Sequence, residues 1–133
     1  MLRAFLFIFF IPAYLFSQSQ SQWVDSVYNA MTLDQKIGQL FMVMAFPDGD
    51  IAMHQNTLSQ LKKYHVGGVL FSKGRTMKQI ADTDLYQQHA NIPLLIAADA
   101  EWGMAMRLQD VSHYPYAMTL GALPNEELVY ALA

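Results

Sequence analysis

The sequence predicts an α/β fold with a parallel sheet, and three features predict it. Apolar runs at Leu40–Phe46, Val69–Phe71 and Leu94–Ala98 are short and carry apolar side chains at successive positions, the pattern of strands covered on both faces. Helical 3–4 spacings separate the runs, and the runs recur about 25–30 residues apart, as βα units require. Pro47-Asp48-Gly49, Gly67-Gly68 and Pro93 punctuate them at the places where the chain must turn.

Each element follows in order. Trp23, Val24, Val27, Tyr28 and Met31 fall on one helix face. Thr32-x-x-Gln35 is a capping box that opens a second, short helix through Ile37. Beyond Gly38 comes the first apolar strand. Leu58, Leu61 and Tyr64 mark a helix, Gly67-Gly68 leads into the second strand, and Met77, Ile80, Ala81 and Leu85 mark another helix. The third strand, Leu94–Ala98, stops at Asp99. Asn125 is placed to cap a last helix, with Glu126 and Glu127 at the positive end of its dipole. Three strands are too few for a closed architecture, so the pattern reads as one part of a larger α/β domain.

Composition narrows the function classes. The 133 residues are 53% hydrophobic and 14% charged, with a formal net charge of −3, which suits a packed core and not a disordered chain. No Lys/Arg cluster is present, which argues against nucleic acid as a partner. With no cysteine, disulfides, thiolate metal sites and cysteine nucleophiles are excluded. Arg3 followed by the thirteen mostly apolar residues Ala4–Phe16, then small and polar residues, has the tripartite form of a secretory signal peptide. The run is shorter than the ~20 residues that span a bilayer. Cleavage after Ser19, with Ser17 at −3, gives residues 1–19 as signal peptide and 20–133 as an exported domain segment, secreted or periplasmic, without a stable membrane anchor. Removal of Arg3 shifts the charge from −3 to −4. Ser17–Gln22 reads as a flexible linker behind the leader.

The candidate chemistry lies in Leu94-Leu95-Ile96-Ala97-Ala98-Asp99-Ala100-Glu101-Trp102-Gly103-Met104-Ala105-Met106-Arg107. Strand C-terminal ends carry the active site in parallel barrels, so an acid there is a functional candidate. Asp99 and Glu101 are too close in sequence to flank a scissile bond as a glycosidase acid pair does. They suit sugar hydroxyls, which donate strong paired hydrogen bonds to carboxylates, and Trp102 offers a ring to a sugar face. The alternative is structural: Asp99 caps the following turn and Glu101 pairs with Arg107. Elsewhere, His54, His65, His89 and His113 show no metal-ligand spacing and read as structural or surface residues. Gly67-Gly68 lacks a phosphate-loop context and reads as a backbone turn. Lys73-Gly74-Arg75 reads as a solvated loop on the same rim as Asp99. Ser72 and Ser112 lack a nucleophile elbow, and the nine methionines read as packing.

Asp25–Val43 (DSVYNAMTLDQKIGQLFMV), Val66–Phe71 (VGGVLF), Pro93–Arg107, Tyr114-Pro115 and Leu120-Gly121-Ala122, taken in this order, resemble the N-terminal domain of family-3 glycoside hydrolases, and in particular its bacterial β-N-acetylhexosaminidase-like members. The resemblance implies a (β/α)8 barrel and retaining hydrolysis of terminal β-linked sugars through a covalent glycosyl-enzyme, with no cofactor and no metal. A full barrel takes about 250 residues, so residues 20–133 hold about three of its eight βα units. By the resemblance, Asp99 matches the aspartate that binds sugar hydroxyls in the innermost subsite. Glu101, Gly103 and Arg107 match motif positions that support it. Trp102 stands where the family's Asp-x-Glu-Gly-Gly pattern has its first glycine. The expected substrate-binding set is thus Asp99, Glu101, Trp102 and Arg107. The family's Lys-His loop, nucleophilic aspartate and acid/base all match positions past Ala133, so no catalytic residue is expected among these 133 and the segment alone is expected to be inactive. A β-glucosidase-type member, a sugar-binding remnant without catalysis and an incomplete gene model are the alternatives.

Overall fold

The computed structural model describes residues 19–132; the apolar run Ala4–Phe16, expected to be a signal peptide, lies outside them. Contacts divide the chain into two units, residues 1–30 and 31–133. In the first, helix α1 spans Gln20–Ala30 and none of its residues is buried. Gln20, Ser21 and Gln22 are therefore helical rather than linker. Ser19 and Gln22 exchange bonds, the Gln22 N–H donating to Ser19 Oγ (3.3 Å) and the Ser19 N–H to Gln22 Oε1 (3.0 Å). That is a Ser-x-x-Gln capping box. Among the described residues no helix is long and apolar enough to cross a membrane.

The second unit runs α2 (Leu33–Gly38), β1 (Met42–Ala45), α3 (Ile51–Tyr64), β2 (Gly68–Phe71), α4 (Thr76–His89), β3 (Leu95–Ala98), a 3-10 turn (Met104–Met106), α5 (Ala117–Gly121) and α6 (Glu126–Leu132). Thr32 makes its expected box with Gln35, each side chain accepting the other residue's backbone N–H. Asp50 caps α3 by accepting from the Met53 N–H at 2.8 Å. Asn125 accepts from the Glu127 N–H at 2.9 Å, where α6 was expected to start.

All three strands are parallel, in the order β1-β2-β3. The register sets Val43, Val69 and Ile96 side by side, and Ala45, Phe71 and Ala98 two residues on. This is the face that α3 and α4 cover over β1 and β2, while Ile96 at the β3 edge stays 39% exposed. Ala45, Val69 and Phe71 close the core with Leu61, Tyr86 and Leu94, and Val43, Leu58 and Leu85 pack around them. The other face behaves differently from the expectation of strands buried on both sides. Met42, Met44 and Leu95 stay 44%, 55% and 72% exposed.

Two contacts fix the lower end of the sheet, where the strands begin. The Gly67 N–H donates to Phe41 O at 3.0 Å and its carbonyl accepts from the Leu95 N–H at 2.9 Å, so this residue ties three strand starts together. A β-carbon on Gly67 would sit 2.2 Å from Gln39 O. The Gly-Gly pair thus answers a close backbone approach and not only a turn. Gln87 on α4 receives the start of β3 as a strand would: its Nε2 donates to Leu94 O and its Oε1 accepts from the Leu94 N–H, both at 2.9 Å. Between the helices, His54 Nδ1 lies 3.1 Å from Tyr86 Oη and 3.4 Å from Asp82 Oδ1. Burial raises the Asp82 carboxyl above its usual range, against the pull of His54. His54 is therefore a structural residue of the α3–α4 seam.

Candidate functional site

The upper ends of the strands are laced to one another. Behind β1, Asp48 Oδ1 takes a 3.1 Å bond from Arg75 Nε, which stands behind β2. Behind β2, the Gly74 N–H donates to Arg107 O (3.0 Å) and the Gln109 N–H donates to Gly74 O (3.1 Å). These two bonds stitch the β2 loop to the loop after β3. Gly74 is thus engaged, and the 73–75 loop is more than a solvated turn.

Asp99 follows the last residue of β3 directly. Its carboxylate stands at the strand C-terminal rim with the side chain 47% exposed, and its Oδ2 accepts from Arg107 Nη2 at 2.6 Å. Both structural alternatives for this segment are corrected here. The turn closes through backbone, the Gly103 N–H donating to Ala100 O at 3.0 Å, and Arg107 pairs with Asp99 rather than Glu101. The reason is local geometry. Gly103 takes φ 100°, a left-handed-side conformation that side chains disfavour. The 3-10 turn of Met104–Met106 then carries Arg107 back over the strand end. Asp99 and Arg107 come together; Glu101 is exposed on the turn, apart from that pair.

Trp102 also has partners. Its ring lies 5.2 Å from Tyr116, edge to face, and 6.5 Å from the His113 ring, nearly parallel at 21°. A cleft of about 410 Å³ borders this side of the loop, lined by Glu101, Trp102, Met104, Tyr114 and Leu120 among others. Other hollows lie away from this loop. One of about 510 Å³, lined by Ile37, Phe41, Met42 and Tyr64, sits beneath the strand starts. Another of about 110 Å³, lined by Gln39, His65 and His89, lies at the same end. Neither contains Asp99, so the chemistry is read from the rim and not from cavity size. Among the described residues no three His, Asp or Glu side chains gather as a metal site.

Residues 32–133 match the family model described as the glycosyl hydrolase family 3 N terminal domain. The chain belongs to glycosyl hydrolase family 3. It is similar to a β-N-acetylglucosaminidase/β-glucosidase of Cellulomonas fimi, 30% identical over 107 residues, which are 80% of this chain and 18% of that protein. It is also similar in structure to a β-glucoside phosphorylase, BglX, bound to 2FGlc, with a TM-score of 0.77 and 24% identity over 92% of this chain and 22% of that one. This family 3 chain thus spans about a fifth of the length of either relative. The three βα units have the fold of the N-terminal region of such a domain.

One family 3 rim residue escaped the sequence reading. Asp110 Oδ1 accepts both the backbone N–H and the hydroxyl of Thr76, at 2.9 and 2.8 Å. Arg75, the N-cap position of α4, makes no side-chain cap bond, so a carboxylate 34 residues away serves instead. The missing Ser, Thr, Asp or Asn at position 75 was the signal available. The Thr76 N–H, then its hydroxyl, hold the Asp110 carboxyl below the usual carboxylate range. A depressed folded value means stability that is present above the unfolded value of 3.8 and is lost as pH falls through the folded value. Melting temperatures of the parent and Asp110→Asn are expected to differ at neutral pH and to begin converging only below about pH 4, as the pH falls toward the depressed folded value. Parallel curves over that range would remove Asp110 as a titrating cap.

Proposed function

We propose that this chain is the sugar-gripping front portion of an exported retaining β-glycosidase. Its substrates are terminal β-linked sugars, foremost β-N-acetylhexosaminides, with β-glucosides second. The observation that supports this reading is the Asp99 carboxylate, half exposed at the strand C-terminal rim and held by Arg107 at 2.6 Å. An oriented, ionised acceptor at that rim suits the paired hydroxyls of a pyranose.

In this reading Asp99 binds and aims the sugar, Arg107 fixes the carboxylate, and Glu101 and Trp102 shape the adjoining edge. Nucleophile and acid/base come from other parts of the polypeptide, because a retaining pair faces across the bond at about 5–5.5 Å. Two carboxylates on one turn, with one already committed to Arg107, do not fill those places. Export rests on the leader pattern of residues 1–19.

Assay of the complete polypeptide on aryl β-N-acetylglucosaminide and aryl β-glucoside, with and without inorganic phosphate, tests the proposal. The expected result is phosphate-independent release of the free sugar, faster from the N-acetylglucosaminide. The solved structural relative is named a phosphorylase, so formation of a sugar 1-phosphate would move this chain to group transfer. Turnover of neither glycoside would end the glycosidase reading.

A further inference from the structure

We propose that Asp110 is a positioning residue: it holds the segment that carries Arg107, and through Arg107 it aims Asp99. The inference rests on the reading of Asp99 as the sugar ligand and extends it to a residue that touches no sugar. Residues 107–110 are fastened at two adjacent points. Arg107 O and the Gln109 N–H bond to Gly74, and the Asp110 carboxylate takes three contacts from Thr76, two from the N–H at 2.9 and 3.2 Å and one from the hydroxyl at 2.8 Å. Leu108, between them, is buried at 5% exposure.

Thr76 is the first residue of α4, and α4 reaches the core through Tyr86, which is fully buried. The anchor is thus the rigid layer beneath the sheet. On the other side of the clamp, Arg107 offers its guanidinium to Asp99. The Gly74 bonds hold the backbone at 107 and 109 from one side, Leu108 packs in beside Thr76 and Ile80 of α4, and among the described residues it is the carboxylate at 110 that hydrogen-bonds the segment to the helix start. Without it the segment keeps the Gly74 bonds and the buried Leu108 but loses its hydrogen bonds to the helix start, and Arg107 is held less firmly. The 2.6 Å Arg107–Asp99 contact is short and directional, so small displacements of Arg107 are felt at Asp99. Misplacement by about 1 Å of a group that orients substrate can cost on the order of 100-fold in rate.

A double-mutant cycle on the complete polypeptide, reading kcat and KM for an aryl β-glycoside, decides the matter. Asp110→Ala is expected to lower kcat/KM about tenfold in the parent and to add nothing in an Asp99→Ala background. Asp110→Asn, which keeps an oxygen for the Thr76 N–H, is expected to restore most of the loss. Equal falls in both backgrounds, or no fall in the parent, would overturn the proposal. If Asp99→Ala itself leaves turnover intact, the sugar-ligand reading falls and this inference with it, a pattern unlike the additive one. Should Asp110→Ala fail to fold, Thr76→Val, which removes one of the donors, runs the same cycle. A smaller fall that vanishes without Asp99 supports the clamp, and a flat or additive result overturns it.

Discussion

Gly67→Ala is expected to unfold this chain or to lower its stability by about 3 kcal/mol or more. The added carbon would lie 2.2 Å from Gln39 O and within 3.0 Å of two further backbone atoms of Gln39. Backbone cannot swing aside as a flexible side chain can. The Gly67 N–H is bonded to Phe41 O and its carbonyl to the Leu95 N–H, so retreat would pull β2 from both neighbours. Domains have only about 5–15 kcal/mol in hand. The matched control is Gly121→Ala, where nothing lies within 4 Å of the new carbon and a helix end gains a better helix former. Denaturant unfolding followed by tryptophan fluorescence reads both. Equal midpoints for parent and Gly67→Ala would show that the strand starts are not close-packed there.

The elements were legible where one local rule decides them. Thr32 with Gln35, Asn125 before two glutamates and the apolar run that ends at Asp99 each carry their own signal, and each stands where that signal puts it. Gln20–Gln22 shows a rule overlooked rather than absent, since Ser19-x-x-Gln22 is the same box as Thr32-x-x-Gln35. Strand burial was not legible: Val43 and Met44 are alike in hydrophobicity, and only the packing of α3 and α4 makes one inward and the other 55% exposed. Within the site, the strand-end position of Asp99 follows from the pattern. Its partner does not. Arg107 lies six residues from Glu101 and eight from Asp99, and the choice between them is made by the φ of Gly103 and the tight turn after it. The Asp110–Thr76 clamp spans 34 residues, a distance over which spacing in the chain carries no information.

Asp99→Ala in the complete polypeptide is expected to lower kcat/KM on aryl β-glycosides by about 10²- to 10⁴-fold while the fold persists. A charged carboxylate contributes about 1.5–3 kcal/mol for each hydrogen bond it accepts; with two sugar hydroxyls bound, and 1.36 kcal/mol for each tenfold in rate, that range follows. Stability should hardly change. The Asp99 and Arg107 side chains are 47% and 21% exposed, and an ion pair so open to water contributes only about 0–1 kcal/mol. Arg107→Ala separates the two roles: it leaves the carboxylate in place but unaimed. A smaller loss, about tenfold, is therefore expected, and in the Asp99→Ala background Arg107→Ala should add nothing. An aspartate kept for the fold would give the reverse pattern, with thermal stability falling in both variants and the turnover of the surviving folded protein intact. The comparison of melting temperature with kcat/KM thus decides whether this carboxylate serves the sugar or the scaffold.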